Sequence, residues 1–586
     1  MALKRLSNRL TKIATLVTAA VLLAACGSTG GGNSGRTGLS GGNDTPQPAP
    51  NALHIKFIYG SEKQAWVEAV TQTFNAANNT IKSGKQIYVD TEAIGSGESV
   101  SNMVEQVAGH NQPTLWSPAS SVWIPILNDR WTTKNGASLI SGDCPKAVIS
   151  PVVIMMWKPE AQALGWPDKE IGWADIAKIA TDPKGWADYG NPQWGAFRFG
   201  HTHPDYSNSG LLSILAEAYA ATGKLGKLTV DDINQPSTAD FVKNVESSIA
   251  HYGSSTGFFG NAMITRGPSY LSAAVVYESV VVSSYDPKNN PAFPLVAIYP
   301  KEGTFLSDHP LCIPDGSWIS ADQREAAQIY RDYLLSKPVQ QQALQFGFRP
   351  SDTSISIGAP IDAAHGVDPT KPQNVFTTPD INVLNAARTL WGQQKKKVNL
   401  TLLIDISGSM GQENKMDGVH TGASAFIDQL DDSDTLSLIA FDDKEYPLFT
   451  NVVVGQNRQQ IKDKIASLQP QDGTALYDAI AYSISNMKID PTRINGLVVL
   501  TDGNDTSSTQ YIGSDHSDPS KLLTLITGGN TETASGSPVT IFTIGYGSDA
   551  DNNVLQQVAQ AGRGDYRKSA GANDIRQIYL DLSTFF

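Results

Sequence analysis

The chain has 586 residues, 40% of them hydrophobic and 17% charged, which is too much apolar material for one core and enough for two or three domains. The formal net charge is −13, and no basic stripe stands outside the N-terminus, which excludes nucleic acid as the main partner. At the start, Lys4, Arg5, Arg9 and Lys12 precede an apolar run from Ile13 to Leu23. That order of charge and apolar residues is the pattern of an export signal, and the run is too short to span a bilayer.

The run ends in Leu23-Ala24-Ala25-Cys26, which resembles the lipobox of bacterial lipoproteins. The resemblance implies a signal peptide over 1–26 and a diacylglycerol, carrying acyl chains such as palmitate, on Cys26. Two acyl chains suffice for stable attachment, so the expected location is the cell membrane, lipid-anchored on its extracytoplasmic face. Residues 27–51 are Gly/Ser-rich and then Pro-rich, the composition of a tether without a fold of its own.

Ordered elements begin at Leu53. Residues 54–59 read as a strand, 64–75 as an amphipathic helix, 86–92 as a strand, 99–109 as a helix and 113–117 as a short strand. Strands alternating with helices at this spacing predict a mostly parallel α/β sheet. Val148 to Trp157 is an almost unbroken apolar run, as a buried strand requires. A second α/β pattern occupies about 150–300, Ala297 starts a return segment, and 323–336 reads as a helix. Lys395, Lys396 and Lys397 read as a solvated join between domains. From Val398 onward the pattern restarts, with strands over 398–404, 435–441, 496–500 and 539–544. Helices are predicted over 411–430, 458–468, 476–487, 552–560 and 573–582. This predicts a doubly wound domain over 397–586, after a first domain over 52–390.

Asp405-Ile406-Ser407-Gly408-Ser409 directly follows the strand at 398–404. One carboxylate and two hydroxyls therefore lie at a strand's carboxyl end, where doubly wound sheets place their sites. Thr474 adds a hydroxyl at a helix start, and Asp502 a carboxylate after another apolar strand. Hard oxygen donors of this kind suit Mg²⁺ or Mn²⁺. The D-x-S-x-S, T and D trio resembles the metal-ion-dependent adhesion site of von Willebrand factor A (VWA) and integrin I domains. The resemblance implies that Ser407, Ser409 and Thr474 bind the ion directly, that Asp405 and Asp502 bind it directly or through water, and that one position stays open for an acidic residue of a protein partner. Asp442, Asp443, Asp478 and Asp505 read as supporting or solvated acids near these loops.

The first domain resembles type II periplasmic solute-binding proteins, closest to the molybdate/sulfate/phosphate-type branch. The resemblance rests on Tyr59-Gly60-Ser61-Glu62-Lys63, on Ile94-Gly95-Ser96-Gly97-Glu98-Ser99, on the stretch from Phe199 to Gly210, and on Val275-Val276-Tyr277-Glu278-Ser279. It implies two lobes and an interlobe cleft lined by helix N-termini and hydroxyls, suited to a small polar or anionic solute. Ser61, Ser96, Trp116, Ser207, Asn208, Ser209 and Tyr277 are the candidate ligand-binding residues. His201 and His203 read as solvated loop histidines. The two crossing strands of such proteins run side by side, which implies a disulfide between Cys144 and Cys312. The whole chain resembles bacterial substrate-binding and VWA domain-containing lipoproteins. No H-E-x-x-H, C-x-x-C or phosphate-binding P-loop occurs, so the expected role is binding and not catalysis. One reading is a surface binding module for solute and partner; the alternative is an ABC-transporter solute receptor with an accessory VWA domain.

Overall fold

The structure, a computed structural model, describes residues 48–250, 252–471, 473–528, 539–569, 571–583 and 585. The export signal, Cys26 and the tether up to residue 47 lie outside the described residues. Among the described residues no helix is long and apolar enough to cross a membrane.

Strands β1 (Leu53–Tyr59), β2 (Ile87–Ala93) and β3 (Leu115–Ser117) form a parallel sheet in the order β2-β1-β3. β1 shows the sequence cause. Ile55 and Phe57 turn one way into a core with Trp66, Phe74, Tyr330 and Leu334, and Ile58 turns the other way toward Met103, Trp116 and Trp123, the two-residue period of a strand covered on both faces. Helices Gln64–Ala76 and Ser96–Glu105 make the crossovers.

β4 (Val148–Trp157) then leaves this first lobe. Nine of its ten residues are buried, which is what the unbroken apolar run requires. Its far end pairs antiparallel with β6 (Ala273–Tyr277) and β7 (Leu295–Ile298), and β5 (Phe199–Gly200) pairs parallel with β6. Its near end pairs with β8 (Leu306–Ser307) and β9 (Arg349–Pro350). The second lobe's sheet is therefore mixed, because β4 enters it against the direction of both neighbours. The chain returns to the first lobe beside β3, where Trp116 and Cys312 exchange two backbone hydrogen bonds of 2.8 Å. Cys312 is joined there to Cys144 by a disulfide closing 168 residues of chain.

The helix Ile381–Gln394 leads out of the second lobe. Lys395, Lys396 and Lys397 are half-buried rather than solvated. Lys395 lies over the Trp391 ring, and Lys397 donates to Gly392 O and Asp431 at 3.0 Å. The join is clamped because the linking helix packs onto the second lobe and carries these side chains into the next domain's edge.

The last sheet comprises β10 (Val398–Asp405), β11 (Thr435–Phe441), β12 (Glu445–Val453), β13 (Ile494–Thr501), β14 (Thr540–Tyr546) and β15 (Arg563–Ser569). Their order is β12-β11-β10-β13-β14-β15, parallel except for β12. Leu400, Leu402 and Ile404 of β10 face one helical layer and Leu403 the other, so its apolar run is continuous. The chain turns outward in opposite directions from β10 and β13. Their carboxyl ends flank the topological switch point, where a doubly wound sheet opens a crevice.

Candidate metal centre and interlobe seam

Asp405 ends β10 and Asp502 follows β13, so the paired register Ile404–Leu500 sets the two carboxylates side by side at the switch point. Both side chains are fully buried. Asp405 Oδ1 accepts the Ser407 amide at 2.7 Å, and its Oδ2 accepts the Thr501 hydroxyl at 2.5 Å. Those bonds fold the loop back so that the Ser407 and Ser409 hydroxyls stand 3.1 Å apart and Ser409 reaches Asp502 Oδ1 at 2.7 Å. Thr474 comes from a third loop. Gly473 takes a positive φ of 79°, open to glycine at no steric cost, and the Thr474 amide is held by the Thr506 and Ser507 hydroxyls. A side-chain carbon on Gly503 would lie 3.8 Å from Thr474 Oγ1 and 3.9 Å from Ser409 Oγ, so both hydroxyls border the space beside Gly503.

The donor set fits a hard dication: two carboxylates and three hydroxyls, all oxygen. Burial pushes the Asp405 carboxyl up to about 6, against hydrogen bonds from Thr501 and Ser407, and the Asp502 charge adds to the rise. Two buried carboxylates in contact range call for positive charge. One source is already present: Lys415 Nζ sits 2.6 Å from Asp502 Oδ2, with both side chains buried. Gly408 is exposed and Ser409 half-buried, so the site has an open rim.

The four neighbouring acids divide. Asp442 accepts the Lys444 amide and the Tyr446 hydroxyl. Asp505 accepts the Tyr477 amide and bonds Ser508 and His516. Asp478 accepts the amides of Thr509, Gln510 and Tyr511. These three fix loops, whereas Asp443 is exposed.

The cleft candidates lie at or behind the seam between the lobes, and all seven are buried and bonded to protein. Ser61 Oγ bonds Ser255 Oγ across the seam and accepts the Gly257 amide at 3.0 Å. Asn208 accepts from Trp123 Nε1 of the first lobe at 3.0 Å and donates to the Tyr277 and Ser307 hydroxyls. Ser207 and Ser209 both bond Thr256. Ser96 receives the Ala119 amide, and Trp116 donates to Ser99, both within the first lobe. The amides of Gly97 and Glu98, at the start of helix Ser96–Glu105, both point at Tyr206 O of the second lobe, at 2.9 and 3.0 Å. The orphan donors of that helix end thus meet a carbonyl, as an unpaired helix start requires. Beside the seam a groove of about 700 Å³ is lined by Ser61, Glu62, Trp66, Gly257, Phe258 and Phe348 among others.

His201 and His203 are buried, not solvated. Burial holds the His203 ring down at about 3, and it packs edge-on against Trp391 and Tyr206. The linking helix covers the loop that carries both histidines, which made an exposed loop in sequence an interior one in space. Lys415, Thr501 and the buried Glu62–Lys63–His309 cluster were not among the sequence candidates. In that cluster Lys63 Nζ lies 2.8 Å from Glu62 and 3.0 Å from His309. Lys415 gave no signal in sequence, because the helix predicted from 411 put it past the first turn; the helix in fact starts at Lys415, where the helix dipole favours acids.

Two α/β lobes joined at a hinge, followed by a doubly wound domain with an oxygen-lined switch point, define a two-part binding protein. The chain belongs to the bacterial extracellular solute-binding protein family, whose model matches residues 55–349. Residues 398–568 match the von Willebrand factor type A domain. The family's extracellular character places the chain outside the cytoplasm. An uncharacterized protein of Mycobacterium tuberculosis is 24% identical over 479 residues, covering 78% of this chain and 65% of its own. An uncharacterized protein of Synechocystis is 27% identical over 208 residues, 35% of this chain and 46% of its own. The chain spans about half to two thirds of the length of these curated relatives. Among solved structures, the sulfate-binding protein SubI of Mycobacterium tuberculosis is similar at 17% identity, with 58% of this chain and 96% of that one covered and a TM-score of 0.36.

Proposed function

We propose that the chain is a lipid-anchored extracytoplasmic binding protein with a domain over 52–390 for a small polar or anionic solute and a domain over 397–586 that grips a protein partner. In this reading Asp405, Ser407, Ser409, Thr474 and Asp502 hold Mg²⁺ or Mn²⁺, and an acidic residue of the partner completes the ion's coordination. This reading is supported by the hydroxyls of Ser407 and Ser409 in contact with each other and with Asp502, beside Asp405 and an open rim. Cys26 supplies the anchor. At the seam, opening the lobes would free the Gly97, Glu98 and Gly257 amides, and an anion would take the place of the Tyr206 carbonyl.

The reading as a transporter receptor draws on the seam alone and has no use for the metal centre. The two separate on one experiment: capture of envelope proteins on the immobilised chain in Mg²⁺, in EDTA, and with Asp405→Ala. A specific partner retained in Mg²⁺ and lost in the other two conditions supports the proposal. Identical capture in all three, or no partner in any, refutes the metal-dependent grip.

A further inference from the structure

A second constellation lies inside the second lobe, away from both sites above. His201 follows β5, Glu217 lies within helix Asn208–Thr222, and Glu246 ends helix Pro236–Glu246. All three are fully buried, and each offers a ligand atom within 4.8 Å of the other two. His201 Nδ1 lies 2.8 Å from the Thr202 carbonyl oxygen, which only accepts, so Nδ1 carries a proton. With Nδ1 held by that carbonyl, Nε2 is the ring atom left to face Glu246; a metal would displace the proton between them and take the freed lone pair, with the carbonyl orienting the ring. Nε2 stands 2.8 Å from Glu246 Oε1, and the Tyr252 hydroxyl donates to Glu246 Oε2 at 2.6 Å, fixing that carboxylate. Ser213 fixes Glu217 through Oε1 at 3.1 Å. Glu217 Oε2 is buried with no hydrogen-bond partner among the described residues. Buried polar atoms are almost always satisfied, and an orphan asks for a reason. No Lys or Arg ion-pairs with either carboxylate among the described residues; His201 is the one ion-pair partner there.

We infer that His201, Glu217 and Glu246 form an internal transition-metal site that takes Zn²⁺. One imidazole nitrogen and two carboxylates are a zinc donor set, and zinc holds such ligands at about 2.0–2.2 Å, which sets neighbouring donors roughly 3.4 Å apart. The three donors already lie within 4.8 Å of one another, and the 2.8 Å between Nε2 and Glu246 Oε1 would lengthen to that spacing around an ion. A dication also balances two carboxylates sealed from water. The site is sealed from solvent, and a buried water would fill the fourth position of the ion. It ties β5 to two helices beneath the loop that touches Gly97 of the first lobe and Arg388 of the linking helix.

The test uses the full chain carrying Asp405→Ala, so that the centre at the last sheet is silent. The protein is loaded with Zn²⁺, desalted, and its metal counted by plasma mass spectrometry, with and without Glu217→Gln. The expected result is about one zinc per chain, falling roughly tenfold or more with Glu217→Gln. No retained zinc in the Asp405→Ala chain, or equal zinc in both, overturns the inference. Should Glu217→Gln fail to fold, an anomalous scattering peak at the zinc edge in crystals of the Asp405→Ala chain decides. A peak between the three side chains supports the site, and its absence there rejects it.

Discussion

Replacing Lys415 by methionine keeps the length of the side chain and removes one positive charge from the metal centre. The ammonium lies 2.6 Å from Asp502 Oδ2. An ion held on the opposite oxygen of that carboxylate would stand about 5 Å from it, given metal–oxygen distances of about 2.1 Å. A unit charge facing a dication at that distance, in an effective dielectric of about 20, repels by on the order of 6 kcal/mol. The half-buried Ser409 rim and relaxation of the lysine remove about half. Lys415→Met is therefore expected to tighten Mg²⁺ binding by on the order of 3 kcal/mol, about a hundredfold. In EDTA the same variant leaves Asp502 as an uncompensated buried charge and should melt lower, since breaking a buried pair costs about 3–5 kcal/mol. Titration calorimetry with Mg²⁺ and thermal melts with and without EDTA read both effects. Unchanged or weaker Mg²⁺ binding in Lys415→Met would refute the view that lysine and ion compete for one pair of carboxylates.

Two further outcomes follow from features elsewhere. Glu160 is buried, its Oε2 lacks a hydrogen-bond partner among the described residues, and burial pushes its carboxyl up to about 9, against Ser272 and Arg198. The folded chain thus binds a proton there that the unfolded chain releases from about pH 4.5 upward, so this group erodes stability as pH rises from about 4.5 to about 9. Glu160→Gln should gain on the order of 3 kcal/mol at pH 7 and flatten the decline in denaturant melts between those limits, and an unchanged pH profile would contradict it. Gly97→Ala places a carbon 2.1 Å from Asp205 O and 2.6 Å from the Trp123 ring. It should hold the lobes apart, seen as a larger radius of gyration in solution scattering, and an unaltered profile would show the seam yields elsewhere.

Much of this architecture could be read from local pattern. β4 is legible because a strand covered on both faces must be apolar throughout, and Val148 to Trp157 is. Asp405, Ser407 and Ser409 are legible because they crowd one loop at a strand's end. β12 was not: Glu445 to Val453 is an edge strand, half-exposed and containing Pro447, so it lacks the alternation of a core-facing strand. The linking helix Ile381–Gln394 was lost for a similar reason, since its role lies in covering a loop some 180 residues earlier. Glu217 and Glu246 could not be found by spacing either. They sit on two helices that meet only after folding, and in sequence each is one acid in a helix. Lys395 to Lys397 looked solvated because three lysines are polar, yet their stems lie along Trp391 and the domain edge, as long cationic side chains often do.

The account rests on the ion at the last sheet, and Mn²⁺ titration of the full chain followed by electron paramagnetic resonance measures it directly. The account predicts a Mn²⁺ site displaced by Mg²⁺, present in the native chain and in Glu217→Gln, and absent from Asp405→Ala. A Mn²⁺ signal that persists unchanged in Asp405→Ala, or a native chain that takes up no Mn²⁺, would contradict it.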